Sequence, residues 1–166
     1  AEWIEGARLR TLFTGAAPVV AGTAIAVWEQ SFRPVNALLC LVVALAMQVG
    51  ANYANDYSDG IRGSDDQHRV GPQRLVGSGA ATAQAVRRAA VGSFVVACLA
   101  GLGLVVITGH WWLVGVGIAC VLAAWFYTGG SNPYGYRGLG EVFDFIFFGL
   151  VAVCGTTYVQ ADRVTL

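Results

Sequence analysis

Five apolar runs, at residues 12–28, 35–56, 89–107, 112–127 and 139–159, constrain this chain more than anything else in it. A helix that crosses a hydrocarbon core of roughly 30 Å needs about 20 such residues. Lipid offers the backbone no hydrogen-bond partner but itself, so each run has to be helical. The expected fold is therefore all-α, a polytopic transmembrane helix bundle. Apolar residues make up 56% of the chain and charged ones only 12%, which is outside the balance of a water-soluble domain. Ten arginines, with no lysine, meet ten acids. That leaves no basic excess to recruit nucleic acid. Cys40, Cys98, Cys120 and Cys154 each lie inside an apolar run without CxxC spacing, and read as small packing residues.

In chain order, Trp3 and Ile4 stand among charges in AEWIEGARLR, as in a segment lying on the membrane surface. No removable signal peptide is expected there. Pro18 falls inside the first run, and Trp28, Trp111 and Trp112 suit an aromatic belt. Two stretches are too rich in glycine and polar groups to span: 59–82 and 128–138. With the N-terminus inside, Arg8, Arg10, Arg62, Arg69, Arg74, Arg87, Arg88 and Arg137 fall on the cytoplasmic side, and Arg33 and Arg163 outside. That asymmetry obeys the positive-inside rule. Both polar loops then share the cytoplasmic face, in one domain covering residues 1–166 of a multi-pass cell-membrane protein.

The second run delivers acids to that face. If its helix continues, Gln48, Asn52, Asn55, Asp56 and Asp59 share about one third of its circumference. Ionisable groups at membrane depth are costly unless they have a partner or a task. Asn55, Asp56, Asp59 and Asp65 offer oxygen ligands only, so the expected ion is hard, with Mg2+ first and Mn2+ close behind. Arg69 and Arg74 add positive charge for a phosphate. A polyprenyl diphosphate joins such a headgroup to a tail that can run into lipid. Tyr127, Tyr134 and Tyr136 cluster beside the second loop, either as interfacial anchors or as a wall for an aromatic acceptor or a cation. Glu141 is a further candidate there, although both it and Asp144 also complement the dipole of a helix start. Asp65 and Asp66, taken alone, read equally well as a surface salt-bridge loop, His68 reads as an exposed histidine, and Arg87 and Arg88 as topology markers.

Two motifs, NDYSDGIRGSDD followed by RVGPQRLVGSG, and YTGGSNPYGYRGLGE, resemble the intramembrane prenyltransferases of the UbiA superfamily. The spacing of Asn55, Asp59 and Asp65, and ARLRTL near the start, are similar to the menaquinone branch. The resemblance implies nine spans, of which five are present here. It also implies a second aspartate motif, supplied by a missing C-terminal half or a partner chain. The implied activity is transfer of a polyprenyl group from its diphosphate to 1,4-dihydroxy-2-naphthoate, with loss of carbon dioxide. Asp56, Asp59 and Asp65 would hold magnesium and carry the catalysis. Asn55, Arg69 and Arg74 would bind the diphosphate, and Tyr127, Tyr134 and Glu141 the acceptor or the cation. Asn132 and Asp144 depart from the family pattern, which usually has a basic and an apolar residue there. Rival readings are a UbiA-type enzyme for a benzoate, homogentisate or sugar-phosphate acceptor, a non-catalytic membrane subunit, and a cation transporter.

Overall fold

The computed structural model of the protein describes residues 2–63 and 74–164. Asp65, Asp66, His68 and Arg69 lie outside them. Helices and their connections account for all the described residues, with no strand among them. A short helix, α1 (Glu2–Gly6), is set off from the rest by Arg8, whose left-handed φ of 53° breaks the helical path. α2 (Leu12–Trp28) coincides with the first apolar run and keeps Pro18 inside it.

α3 (Pro34–Arg62) opens on a proline, whose missing N–H would have been unpaired there anyway. It closes at Gly63, where a φ of 66° favours a residue without a Cβ. Its 29 residues carry the helix beyond the expected boundary at residue 59, because nothing between Ala51 and Arg62 interrupts it. Asp59 is therefore a helical residue, and the first loop starts at Gly63. α4 (Ala83–Thr108) also begins earlier than its apolar run, so Arg87 and Arg88 ride on its opening turns. The Thr82 hydroxyl caps it by accepting the Ala85 N–H at 3.3 Å.

α5 (Leu113–Phe126) has 14 residues, about 21 Å at 1.5 Å per residue. It falls short of the span expected over 112–127. The chain leaves it through Gly129 and Gly130 into a loop that packs against α3. The last rod runs Gly140–Ala161 and has three parts: α6 (Gly140–Asp144), a wide π-helical stretch over Phe145–Val151, and α7 (Ala152–Ala161). Glu2–Trp28, Pro34–Arg62, Ala83–Thr108 and Gly140–Ala161 are long and apolar enough to cross a membrane, with α5 the shorter fifth.

α3 is the central member and pairs most extensively with α4, while α2 lies between α3 and α7. Near the acidic end, Tyr53, Ala54, Leu75, Val86, Ala90 and Phe94 form one buried cluster; Val19, Cys40, Leu104 and Val159 form another towards the opposite end. A Cβ on Gly22 would come within 2.6 Å of the Val153 carbonyl oxygen, so α2 and α7 meet at backbone distance. Phe13, Trp28, Leu99 and Val106 point outward, a face suited to lipid. Cys40 is buried, as a packing residue should be, whereas Cys98 is exposed among these outward side chains. At the end of the bundle away from the acids, Arg33 and His110 both grip Asp162, at 2.8 and 2.9 Å.

Candidate active site

The last turns of α3 divide their polar face among three neighbours. Gln48 and Asn52 turn to the start of the chain: Asn52 Nδ2 donates to the Ala7 carbonyl and to the Thr11 hydroxyl, each at 2.8 Å. These bonds fix α1 and the start of α2 against α3. Gln48 Oε1 is buried without a partner among the described residues.

Asp56 turns to the segment returning from the first loop. Its carboxylate accepts the backbone N–H of Leu75 at 2.9 Å and of Val76 at 3.2 Å, and its side chain is almost wholly buried. Leu75 thereby drops into the core beside Tyr53. Gly60, one turn along, permits this approach, since a Cβ there would stand 2.3 Å from Val76 Cγ1.

Asn55 and Asp59 face the second loop. Asn55 Oδ1 accepts the Thr128 hydroxyl at 2.7 Å. Asp59 Oδ2 lies 3.0 Å from Arg74 Nη2, with only 10% of the aspartate and 11% of the arginine side chain exposed. The Tyr136 hydroxyl donates to Asp59 Oδ1. Arg62 completes the join: its guanidinium donates to the Thr128 and Gly130 carbonyls and sits 5.5 Å from the Tyr136 ring centre. Two loops more than fifty residues apart thus converge on one helix end, as their shared face required.

Tyr127 and Tyr134 form an aromatic wall beside this cluster. Their rings meet edge to face at 5.5 Å, and Tyr134 stacks on Phe143 at 4.1 Å. Burial first, then the Asp144 carboxylate, pushes the Tyr134 phenol up to about 12. Tyr136 is also raised, by burial and then by its bond to Asp59. Both stay protonated, and hence donors, at neutral pH.

The structure places the sequence-derived candidates unevenly. Asn55, Asp59 and Arg74 come together. Asp56 is adjacent but spends its oxygens on backbone N–H groups. Tyr127 and Tyr134 flank the cluster, whereas Glu141 is exposed at the start of α6. Asp65 and Arg69 fall outside the described residues. In the sequence Arg62 reads only as a cytoplasmic arginine, although it follows Asp59 by three positions and so shares its helix face; Tyr136 reads as an anchor or part of an aromatic wall, not as a partner of Asp59. Two shallow grooves, one including Val42, Leu45 and Val96 and the other Gln84, Arg87 and Arg88, lie away from the acids.

The donor set fits a hard cation. No group of three or more His, Cys, Asp or Glu able to hold a metal occurs among the described residues. Asn55 and Asp59 nevertheless carry oxygen donors alone, while the Asp56 oxygens are held by backbone N–H groups. Magnesium accepts one or two carboxylates and leaves the rest of its shell to water and phosphate oxygens.

Fold and site define a polytopic helical membrane protein with an acidic, arginine-bearing cluster at one end of the bundle. The chain belongs to the UbiA prenyltransferase family, whose model matches residues 16–166. It is similar to 1,4-dihydroxy-2-naphthoate octaprenyltransferase of Mycobacterium leprae, with 58% identity over 99% of this chain and 55% of the relative. The protein of the same name from Mycobacterium tuberculosis is 56% identical over 99% of this chain and 56% of its own length. That from Escherichia coli is 41% identical over 96% and 53%. The chain thus spans about half the length of the curated relatives it matches. No solved structure gives a significant match.

Proposed function

We propose that the full-length protein transfers a polyprenyl group from polyprenyl diphosphate to 1,4-dihydroxy-2-naphthoate, with decarboxylation, in menaquinone biosynthesis. The observation that carries this reading is the convergence of Asn55, Asp59, Arg74 and Tyr136 at the end of α3. An acid, an amide and an arginine meet there beside an aromatic wall, at the edge of helices suited to lipid. The names of the 41–58% identical relatives supply the acceptor.

Asp59 and Asn55, with Asp65 from the first loop, would hold magnesium; Asp56 would keep the loop in place beside them. When bound, the metal would neutralise the diphosphate and stabilise the charge that grows on its oxygens as the allylic C–O bond breaks. Arg74 and Arg69 bind those oxygens through their planar, always-charged forks. The second loop, tied to the end of α3 by Arg62, would help to shield the allylic cation from water. The faces of Tyr127 and Tyr134 stabilise its charge. The naphthoate ring attacks at carbon, its carboxylate leaves as carbon dioxide, and a demethylmenaquinone-type product results. Glu141 would help to bind the acceptor.

In this reading the protein sits in the cell membrane with its acid-bearing end towards the cytoplasm, an orientation that the arginine distribution supports. The test is Asp59→Asn in the full-length protein, with prenyl transfer followed at varied magnesium. Activity at the wild-type level would remove Asp59 from the site. Labelled 1,4-dihydroxy-2-naphthoate, 4-hydroxybenzoate and homogentisate, offered in parallel, decide the acceptor.

A further inference from the structure

On α4, Val86, Ala90, Phe94 and Ala97 recur every three or four residues and are buried against the rest of the bundle. The opposite face of its opening turns therefore looks outward, and it carries Gln84, Arg87, Arg88 and Val91, all exposed. With Gly92 they line a groove of about 410 Å3. Neither arginine has an ion-pair or hydrogen-bond partner among the described residues. A Cβ on Gly92, one turn along from Arg88, would meet nothing within 4 Å, so the groove stays open there. Val95, Leu99 and Leu102 continue the same outward stripe. From the geometry we infer that this face of α4 binds an anionic phospholipid, with its phosphate on Arg87 and Arg88 and an acyl chain laid along Gly92, Val95 and Leu99.

The position of the groove names its occupant. α4 is 26 residues long and apolar enough to cross a membrane, so its opening turns stand at headgroup level. At that level the anions within reach of two outward guanidinium groups are lipid phosphates. Phosphate oxygens match the planar fork of arginine. A zwitterionic headgroup carries a cation beside its phosphate, so two adjacent arginines favour a lipid with net negative charge. Leu99 stands about 16 Å from Arg88 along the axis at 1.5 Å per residue, about the depth of one leaflet in a core of roughly 30 Å. A free phosphate has no tail to lay on that stripe and buries no apolar surface there.

The experiment titrates the full-length protein in detergent with phosphatidylglycerol or phosphatidylcholine and counts retained lipids by native mass spectrometry. The first phosphatidylglycerol should bind the wild type about tenfold tighter than the first phosphatidylcholine. The double variant Arg87→Gln with Arg88→Gln should bring the two lipids within about twofold, whereas Arg10→Gln, exposed but off this groove, should keep the preference. Gly92→Leu fills the open space and should weaken phosphatidylglycerol with both arginines in place. Glycerophosphoglycerol, the same headgroup without tails, should fail to displace the lipid at about a hundredfold excess. Equal binding of the two lipids by the wild type overturns the inference and needs no variant to fold; it is also the result expected if further chain covers this face. A folded double variant that keeps the full preference overturns it too. So does a double variant that changes the number of chains in the particle and not the lipid count, since the face would then be a contact between copies.

Discussion

The carboxylate of Asp56 accepts the Leu75 N–H at 2.9 Å, and the same group accepts Val76. The most deeply buried acid of the site therefore anchors a loop, whereas Asp59, one turn on, faces the second loop. A division of labour between the two acids follows, and it can be measured.

Asp56→Ala should cost about 1–3 kcal/mol of stability, because two buried N–H groups lose their acceptor. Thermal unfolding in detergent and protease cleavage within 74–82 would both report it. Asp59→Asn takes a counter-charge from the largely buried Arg74 guanidinium, so it too should lose stability, while lowering prenyl transfer about a hundredfold or more. An equal loss of transfer in the folded fraction of Asp56→Ala would show that the two acids share one role.

Arg62 ties the end of α3 to the second loop through the Thr128 and Gly130 carbonyls. Arg62→Lys keeps the charge but loses the two-pronged reach, and an ammonium cannot reproduce the fork. Prenyl transfer should fall about tenfold or more, together with faster hydrogen exchange over 128–138. Unchanged exchange in that loop would leave Arg62 as a topology marker alone.

Gly60→Ala puts a methyl 2.3 Å from Val76 Cγ1. The loop must give way, pulling the Leu75 and Val76 N–H groups from Asp56. A loss of about 1–3 kcal/mol is expected. The double variant with Asp56→Ala should lose less than the sum of the two singles, since both act on one contact.

At the opposite end, the hydrogen bond from His110, with Arg33 assisting, holds the Asp162 carboxyl below its ordinary value of 3.8. A depressed carboxyl stabilises the fold above its unfolded pKa and loses that contribution as pH falls through the folded value. The unfolding temperature should therefore decline below about pH 4, and Asp162→Asn should flatten that limb. Asp144→Val, by contrast, should leave turnover nearly intact if Asp144 serves only the dipole of the helix start.

Much of this was legible in the sequence, because membrane helices announce themselves by length and apolarity. Leu12–Trp28 came out with the same bounds in both, and the shared face of Asn55, Asp56 and Asp59 followed from helical periodicity alone. α5 stops one residue short of the expected run at each end: Trp112 and Tyr127 belong to that run in composition, but the helix covers only Leu113–Phe126. The partners of each acid could not be read at all. Nothing local in Leu75 or Val76 marks their N–H groups as partners for Asp56, and Tyr136 meets Asp59 across 77 positions of sequence. Contacts made by returning loops depend on the whole path of the chain, which periodicity does not encode.

The wide turn over Phe145–Val151 sets the angular phase between the two ends of the final rod. Below it, Thr157 donates to the Gly22 carbonyl at 3.1 Å and Gln160 to Thr23 at 3.2 Å, while above it Phe143 stacks on Tyr134. Deleting one residue there would turn one end against the other by about 100°. Only one of these two seats could then stay occupied, so the number of residues in this stretch is itself fixed by the helices on either side.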